Sequence, residues 1–139
     1  MMDKNPKLQS VHAILLLSDK YILQLRDNKA DISDPGQWSL FGGVLDGQES
    51  PIHAIKREIY EELLIEPADF QLLWYIDHYA TFEKKEIRSW FFKSDVSLVW
   101  LNHSLKEGQS AKTFSFPQIK NLHMPDIMKQ SIICFDKKR

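Results

Sequence analysis

Residues 42–65 read G-G-V-L-D-G-Q-E-S-P-I-H-A-I-K-R-E-I-Y-E-E-L-L-I, and no other stretch of the chain restricts its fold as much. Ser50 before Pro51 marks a helix start. A serine hydroxyl accepts from an unpaired N–H of the first turn, and proline at the first helical position gives up no bond, because its N–H would be unpaired there anyway. A helix is therefore expected from about Pro51. At about 100° per residue, Glu58, Glu61 and Glu62 share roughly a quarter to a third of its circumference. Ile52, Ile55, Ile59 and Leu63 form the adjoining apolar stripe, and Lys56 and Arg57 project elsewhere on the wheel. One face packs and its neighbour presents three carboxylates. Like charges at these spacings repel by a few tenths of a kcal/mol per pair. Two readings of the helix follow. Either the acidic face is simply solvated, the plainer meaning of a charge run, or a hard divalent cation such as Mg²⁺ draws the oxygens together with substrate phosphates.

The full spacing distinguishes them. From Gly43 onward the chain reads G-x5-E-x7-R-E-U-x-E-E-x-x-U, with U a bulky aliphatic residue, which places Gly43, Glu49, Arg57, Glu58, Ile59, Glu61, Glu62 and Ile65 in one register. This closely resembles the signature of the Nudix hydrolases. The one departure is Leu64, where the signature has glycine. A leucine in the left-handed conformation costs about 1–2 kcal/mol, whereas burying one in an ordinary conformation gains about 1.5–3 kcal/mol. Because Leu63, Leu64 and Ile65 form a continuous apolar run, the expectation is that Leu64 extends the helix and is buried.

The resemblance implies an α+β protein, an α/β/α sandwich with a mixed sheet, and hydrolysis of a nucleoside diphosphate linked to another group by metal-assisted attack of water on phosphorus. Nucleoside triphosphates, including oxidised ones, are the slightly favoured substrates, with nucleotide sugars and dinucleotides as the alternative. A non-catalytic nucleotide-binding regulatory module is a further alternative, although such a module would be expected to have lost motif carboxylates that this chain keeps. Glu58, Glu61 and Glu62 match the family's metal ligands, for Mg²⁺ or Mn²⁺, and so does the backbone carbonyl of Gly42. Glu58 is also the candidate for taking a proton from water. Glu49 and Arg57 match a pair that holds the loop on the helix. Glu107 lies where many relatives supply a further carboxylate from a later loop, with Glu83 and Glu86 competing for that role. Arg26 matches an area that often touches substrate, and Trp38 is a candidate base platform among several strand aromatics.

Composition supplies the remaining bounds. The 139 residues suit one domain, residues 1–139, and a formal net charge of −1 offers no footprint for a nucleic-acid polymer; the small nucleotide expected as partner is what the Nudix resemblance implies. The apolar run Ala13 to Leu17 is too short for a signal or a membrane span, and a cytoplasmic location is expected. The single cysteine, Cys134, lies in an apolar segment and is expected to be a buried small hydrophobe. The five histidines, His12, His53, His78, His103 and His123, show no metal-ligand spacing.

Along the chain, Val11 to Leu17 and Tyr21 to Arg26 read as a hairpin, Asp27 to Gly36 as a loop, and Trp38 to Phe41 as a short strand ending in a Gly42-Gly43 turn. Beyond the acidic helix, Phe70 to Tyr79 and Ile87 to Phe92 suggest a second hairpin about the turn Glu83 to Glu86. Val96 to Leu101 is a weaker strand candidate, Ala111 to Phe116 a further strand, and Pro125-Asp126 opens a last helix to about Phe135.

Overall fold

The computed structural model describes residues 8–106, 108 and 110–139. In chain order its elements are β1 (Leu8–Leu17), β2 (Lys20–Leu25), β3 (Trp38–Ser39), β4 (Phe41–Val44), α1 (Pro51–Leu63), β5 (Gln71–Ala80), β6 (Lys85–Asp95), β7 (Ser110–Phe114), α2 (Phe116–Ile119) and α3 (Asp126–Lys137). The strands form one seven-stranded sheet in the order β3-β2-β1-β6-β5, with β4 added on β1 and β7 on β2. β1 runs parallel to β6, and the other pairings are antiparallel. The opposite edge of β1 is shared: Ser10 to Ala13 face β4, and Leu15 to Leu17 face β2. This splitting sets the start of β4 beside the far end of β2, where the candidate site forms.

Strand alternation divides the apolar residues between two layers. Val11, Ala13 and Leu15 meet Ile55, Ile59 and Leu63 of α1, together with Phe41 and Phe92, on one face of the sheet. Ile14 and Leu16 meet Met128, Ile132 and Phe135 of α3 on the other. Each large side chain fully buried in this way contributes about 1.5–3 kcal/mol. A helix on each face of a mixed sheet is the α/β/α arrangement expected. The helix start is as read: the Ser50 hydroxyl accepts from the His53 N–H at 3.3 Å, and Pro51 opens α1. Ile52 leaves the predicted stripe and is exposed.

Several expectations are corrected. Leu64 does not extend the helix. It caps α1 in the left-handed conformation at φ 54°, ψ 35° and is 40% exposed. Both neighbours explain this, since Leu63 and Ile65 are buried in the same layer and the chain must reverse between them. The turn also brings a later loop onto the helix end, where the Ser104 N–H donates to the Leu63 carbonyl (2.9 Å) and the Lys106 N–H to that of Glu62 (2.8 Å). Gly42 and Gly43 lie within β4 rather than in a turn after it. Val96 to Leu101 is not a strand: Trp100–Asn102 form a 3-10 turn, and Val96, Val99 and Trp100 face inward while Leu98 and Leu101 are exposed, a helical spacing rather than alternation. Cys134 is exposed, because it lies about 200° around α3 from the buried Ile132. The short helix α2, with a capping box between Ser115 and Gln118, was not anticipated.

Candidate active site

α1 lies over β4, and glycine makes the close approach possible. A Cβ on Gly43 would stand 2.4–2.5 Å from the carboxyl atoms of Glu58, and one on Gly42 (φ 157°) would stand 1.9 Å from the Val11 carbonyl oxygen. The Gly42 N–H donates to Glu62 Oε1 at 3.3 Å, and Glu62 is 2% exposed. Glu58 and Glu62 lie one turn apart on α1, close enough for their carboxyls to interact. Burial raises the pKa of Glu58, and nearby Glu61 adds to the rise, while Arg57 opposes it.

Arg57 is the cation that answers the acidic face, contrary to the wheel. Its Nε and Nη2 donate to the two carboxylate oxygens of Glu49 at 2.7 and 2.9 Å, and Nη1 donates to Glu58 at 2.9 Å and to Glu61 at 3.2 and 3.3 Å. Nη2 also reaches the Val44 carbonyl at 3.2 Å, which ties the helix to the end of β4. The Glu49 carboxylate accepts a further bond from the Asp46 N–H at 3.0 Å. Arg57 beside it, and then this backbone bond, hold the Glu49 pKa down to about 2, while the Arg57 pKa is raised in return. The loop between β4 and α1 is thus fastened through Glu49 and Arg57.

Among the described residues, no three His, Cys, Asp or Glu side chains are already gathered around one point, because Glu58 and Glu61 are drawn to Arg57. The donor set nevertheless fits a hard divalent ion. The buried Glu62 and the partly buried Glu58 bring two carboxyls together on α1, the absence of a Cβ on Gly43 admits the Glu58 carboxyl against β4, and the groups offered are oxygen donors.

Beside Gly42 and Glu62 opens a cleft of about 440 Å³, lined also by Arg26, Asp27, Lys29 and Lys106. Arg26, at the end of β2, donates from Nε to the Ser33 carbonyl at 2.8 Å. The structure thus brings Arg26, Gly42 and Glu62 to one cleft. Glu58 and Glu61 lie on the same helix, and Glu61 is half exposed. Trp38 is not brought there: it packs edge-on against Phe114 with ring centroids 4.8 Å apart, on the α3 side of the sheet. Glu107 lies outside the described residues. The sequence reading missed Lys29 and Lys106. The one signal available was the polar loop after β2, and nothing in it pointed to a cleft shared with the end of α1.

Fold and site together define a class, an α/β/α hydrolase whose acidic helix is laid on a diglycine strand. The chain belongs to the Nudix family, since the family model described as NUDIX domain matches residues 6–130. It is a hydrolase of phosphoanhydride bonds in nucleoside diphosphate derivatives, and such enzymes generally need divalent metal ions. Solved structures agree on the fold. The MutT protein from Methanosarcina mazei Go1 superposes with a TM-score of 0.81 at 20% identity, covering 99% of this chain and 98% of that one. The NUDIX domain of Shewanella oneidensis NrtR, complexed with ADP ribose, gives 0.78 at 17% identity over 99% and 90%. The E. coli dihydroneopterin triphosphate pyrophosphohydrolase gives 0.75 at 14% identity over 94% and 96%. No curated protein matches the sequence. Among the described residues, no helix is long and apolar enough to cross a membrane.

Proposed function

We propose that the chain is a Mg²⁺- or Mn²⁺-dependent pyrophosphohydrolase that takes nucleoside triphosphates in preference to nucleotide sugars or dinucleotides. The observation that carries this reading is the buried Glu62 and the partly buried Glu58 set against the Gly42-Gly43 strand at the edge of a cleft. Glu58, Glu61, Glu62 and the Gly42 carbonyl would hold the metal. The bound ion supplies charge neutralisation at the diphosphate oxygens and a water of lowered pKa. Glu58, whose pKa is raised by burial, accepts the proton of the attacking water. Arg26 meets a substrate phosphate from the cleft wall, and Glu107 contributes a further carboxylate. Glu49 and Arg57 act as scaffold, keeping the loop and helix in register so that the oxygens stay in line with the leaving group.

The test is a panel of ATP, GTP, oxidised nucleoside triphosphates, ADP-ribose, nucleotide sugars and dinucleotides with Mg²⁺ or Mn²⁺, scored for phosphate and pyrophosphate. Pyrophosphate and a nucleoside monophosphate are expected from triphosphates, and EDTA abolishes the release. Full turnover in chelator refutes the mechanism. Binding of every compound with no hydrolysis makes the protein a nucleotide-sensing module instead, and hydrolysis of ADP-ribose alone, the ligand named with the Shewanella domain, moves it to the diphosphatases.

A further inference from the structure

Two lysines stand on the cleft beyond what a bridging diphosphate requires. Lys29 comes from the loop after β2, and Lys106 from the loop that caps α1. Both are exposed, and neither has an ion-pair partner among the described residues, whereas the Arg57, Arg88 and Arg139 side chains are all engaged. The backbone holds each in place. The Lys106 N–H is bonded to the carbonyl of Glu62, the residue whose carboxylate lines the same cleft. The loop bearing Lys29 is closed by the Gly36 N–H on the Asp27 carbonyl (3.2 Å) and by Arg26 on the Ser33 carbonyl. Together with Arg26 they set three cations against Asp27 and Glu62.

We infer that Lys29 and Lys106 select substrates with a free polyphosphate end by holding the terminal phosphoryl group from two sides of the cleft. The inference rests on the proposed function, in that the cleft beside Glu62 is where substrate lies. A terminal phosphoryl carries about two negative charges near neutral pH, and a bridging one about one. A diphosphate closed at both ends by sugars lacks that extra charge. Lysine suits the task, because an ammonium is a compact charge with three rotatable donors and follows a phosphoryl group that turns freely. The two are specificity-determining residues, and neither takes part in bond cleavage.

Lys29→Gln, Lys106→Gln, the double variant and the two Arg replacements test this. The first measurement is calorimetric titration with inorganic tripolyphosphate in EDTA, which needs neither metal nor turnover. Each Gln variant is expected to bind about tenfold more weakly, the scale of one charge-assisted bond, and Arg is expected to restore binding. The second is the ratio of kcat/KM for ATP to that for ADP-ribose with Mg²⁺. It should fall about tenfold per lysine through the KM for ATP, with kcat little changed. Unaltered tripolyphosphate affinity in the double variant overturns the inference, as does an equal loss for ATP and ADP-ribose. If wild type hydrolyses none of the panel, the enzymatic reading fails while the tripolyphosphate titration still decides the lysines. Hydrolysis with a ratio indifferent to both lysines refutes the selection and leaves the hydrolase intact.

Discussion

The left-handed cap at Leu64 gives a prediction whose sign the structure decides. Replacing Leu64 by alanine and, separately, by glycine removes the same packing from a side chain that is 40% exposed, so the difference between the two variants reports the backbone alone. At φ 54°, ψ 35° a residue with a Cβ bears about 1–2 kcal/mol of strain that glycine does not. Glycine loses about 0.4–1 kcal/mol of that advantage to its freer unfolded chain. Leu64→Gly should therefore be more stable than Leu64→Ala by about 0.5–1 kcal/mol, whereas in an ordinary helical turn alanine would be the better by about 1 kcal/mol. Urea midpoints and thermal melts of the two proteins measure this, with an expected Tm difference of about 2–4 °C in favour of glycine. A more stable alanine variant refutes the reversal of the chain at Leu64. Because the same reversal seats Ser104 and Lys106 on the last carbonyls of α1, Leu64→Gly should also keep the KM for ATP.

Other outcomes follow from the same geometry. Glu61→Gln and Glu62→Gln should each lower kcat by on the order of a hundredfold, about 2.7 kcal/mol, with the melting temperature little changed, and Glu107→Gln should show an intermediate loss; unchanged kinetics in any of them removes that residue from the mechanism. Gly43→Ala drives a methyl into the Glu58 carboxyl, so turnover should drop at least about tenfold while circular dichroism keeps the folded spectrum. His12, which shares a hydrogen bond with the Ser10 hydroxyl at 2.9 Å, has its pKa lowered from 6.5 to about 3 by burial, then by His78 and Arg26. Between those values the unfolded chain binds a proton that the folded one refuses, so stability falls as pH drops below 6.5, by up to about 2 kcal/mol at pH 5. Denaturant titrations at pH 7 and pH 5 should show this loss in wild type and a smaller one in His12→Gln; equal losses refute it.

The elements with strong local signals were readable in advance. The Ser50-Pro51 start, the stripe of Ile55, Ile59 and Leu63, the two hairpins and the α3 helix rest on short-range pattern, and all are present. What failed shares a different origin. Leu64 and Ile65 read as one apolar run because sequence pattern cannot see that the core accepts Leu63 and Ile65 but not the residue between them. Lys29 and Lys106 are far apart in the chain and meet one cleft only because β7 pairs with β2, Leu25 opposite Ser110, and carries the preceding loop with it.

Arg57 was misplaced for a reason of reach. A helical wheel assigns a direction to each Cβ, but a guanidinium on a long stem extends well beyond its own sector, and residue 61 is its neighbour at i+4. The bonds it makes are graded. Those to Glu49 are two, at 2.7 and 2.9 Å, on a carboxylate also fastened to the Asp46 N–H, whereas those to Glu61 are 3.2–3.3 Å long on a half-exposed side chain. Drawing Glu61 toward a divalent ion would therefore cost Arg57 its weakest contacts, while drawing Glu58 would cost it a 2.9 Å bond, and either would leave the two bonds to Glu49 in place. The residue that relieves carboxylate repulsion on the helix can release those carboxylates without unfastening the loop that joins β4 to α1.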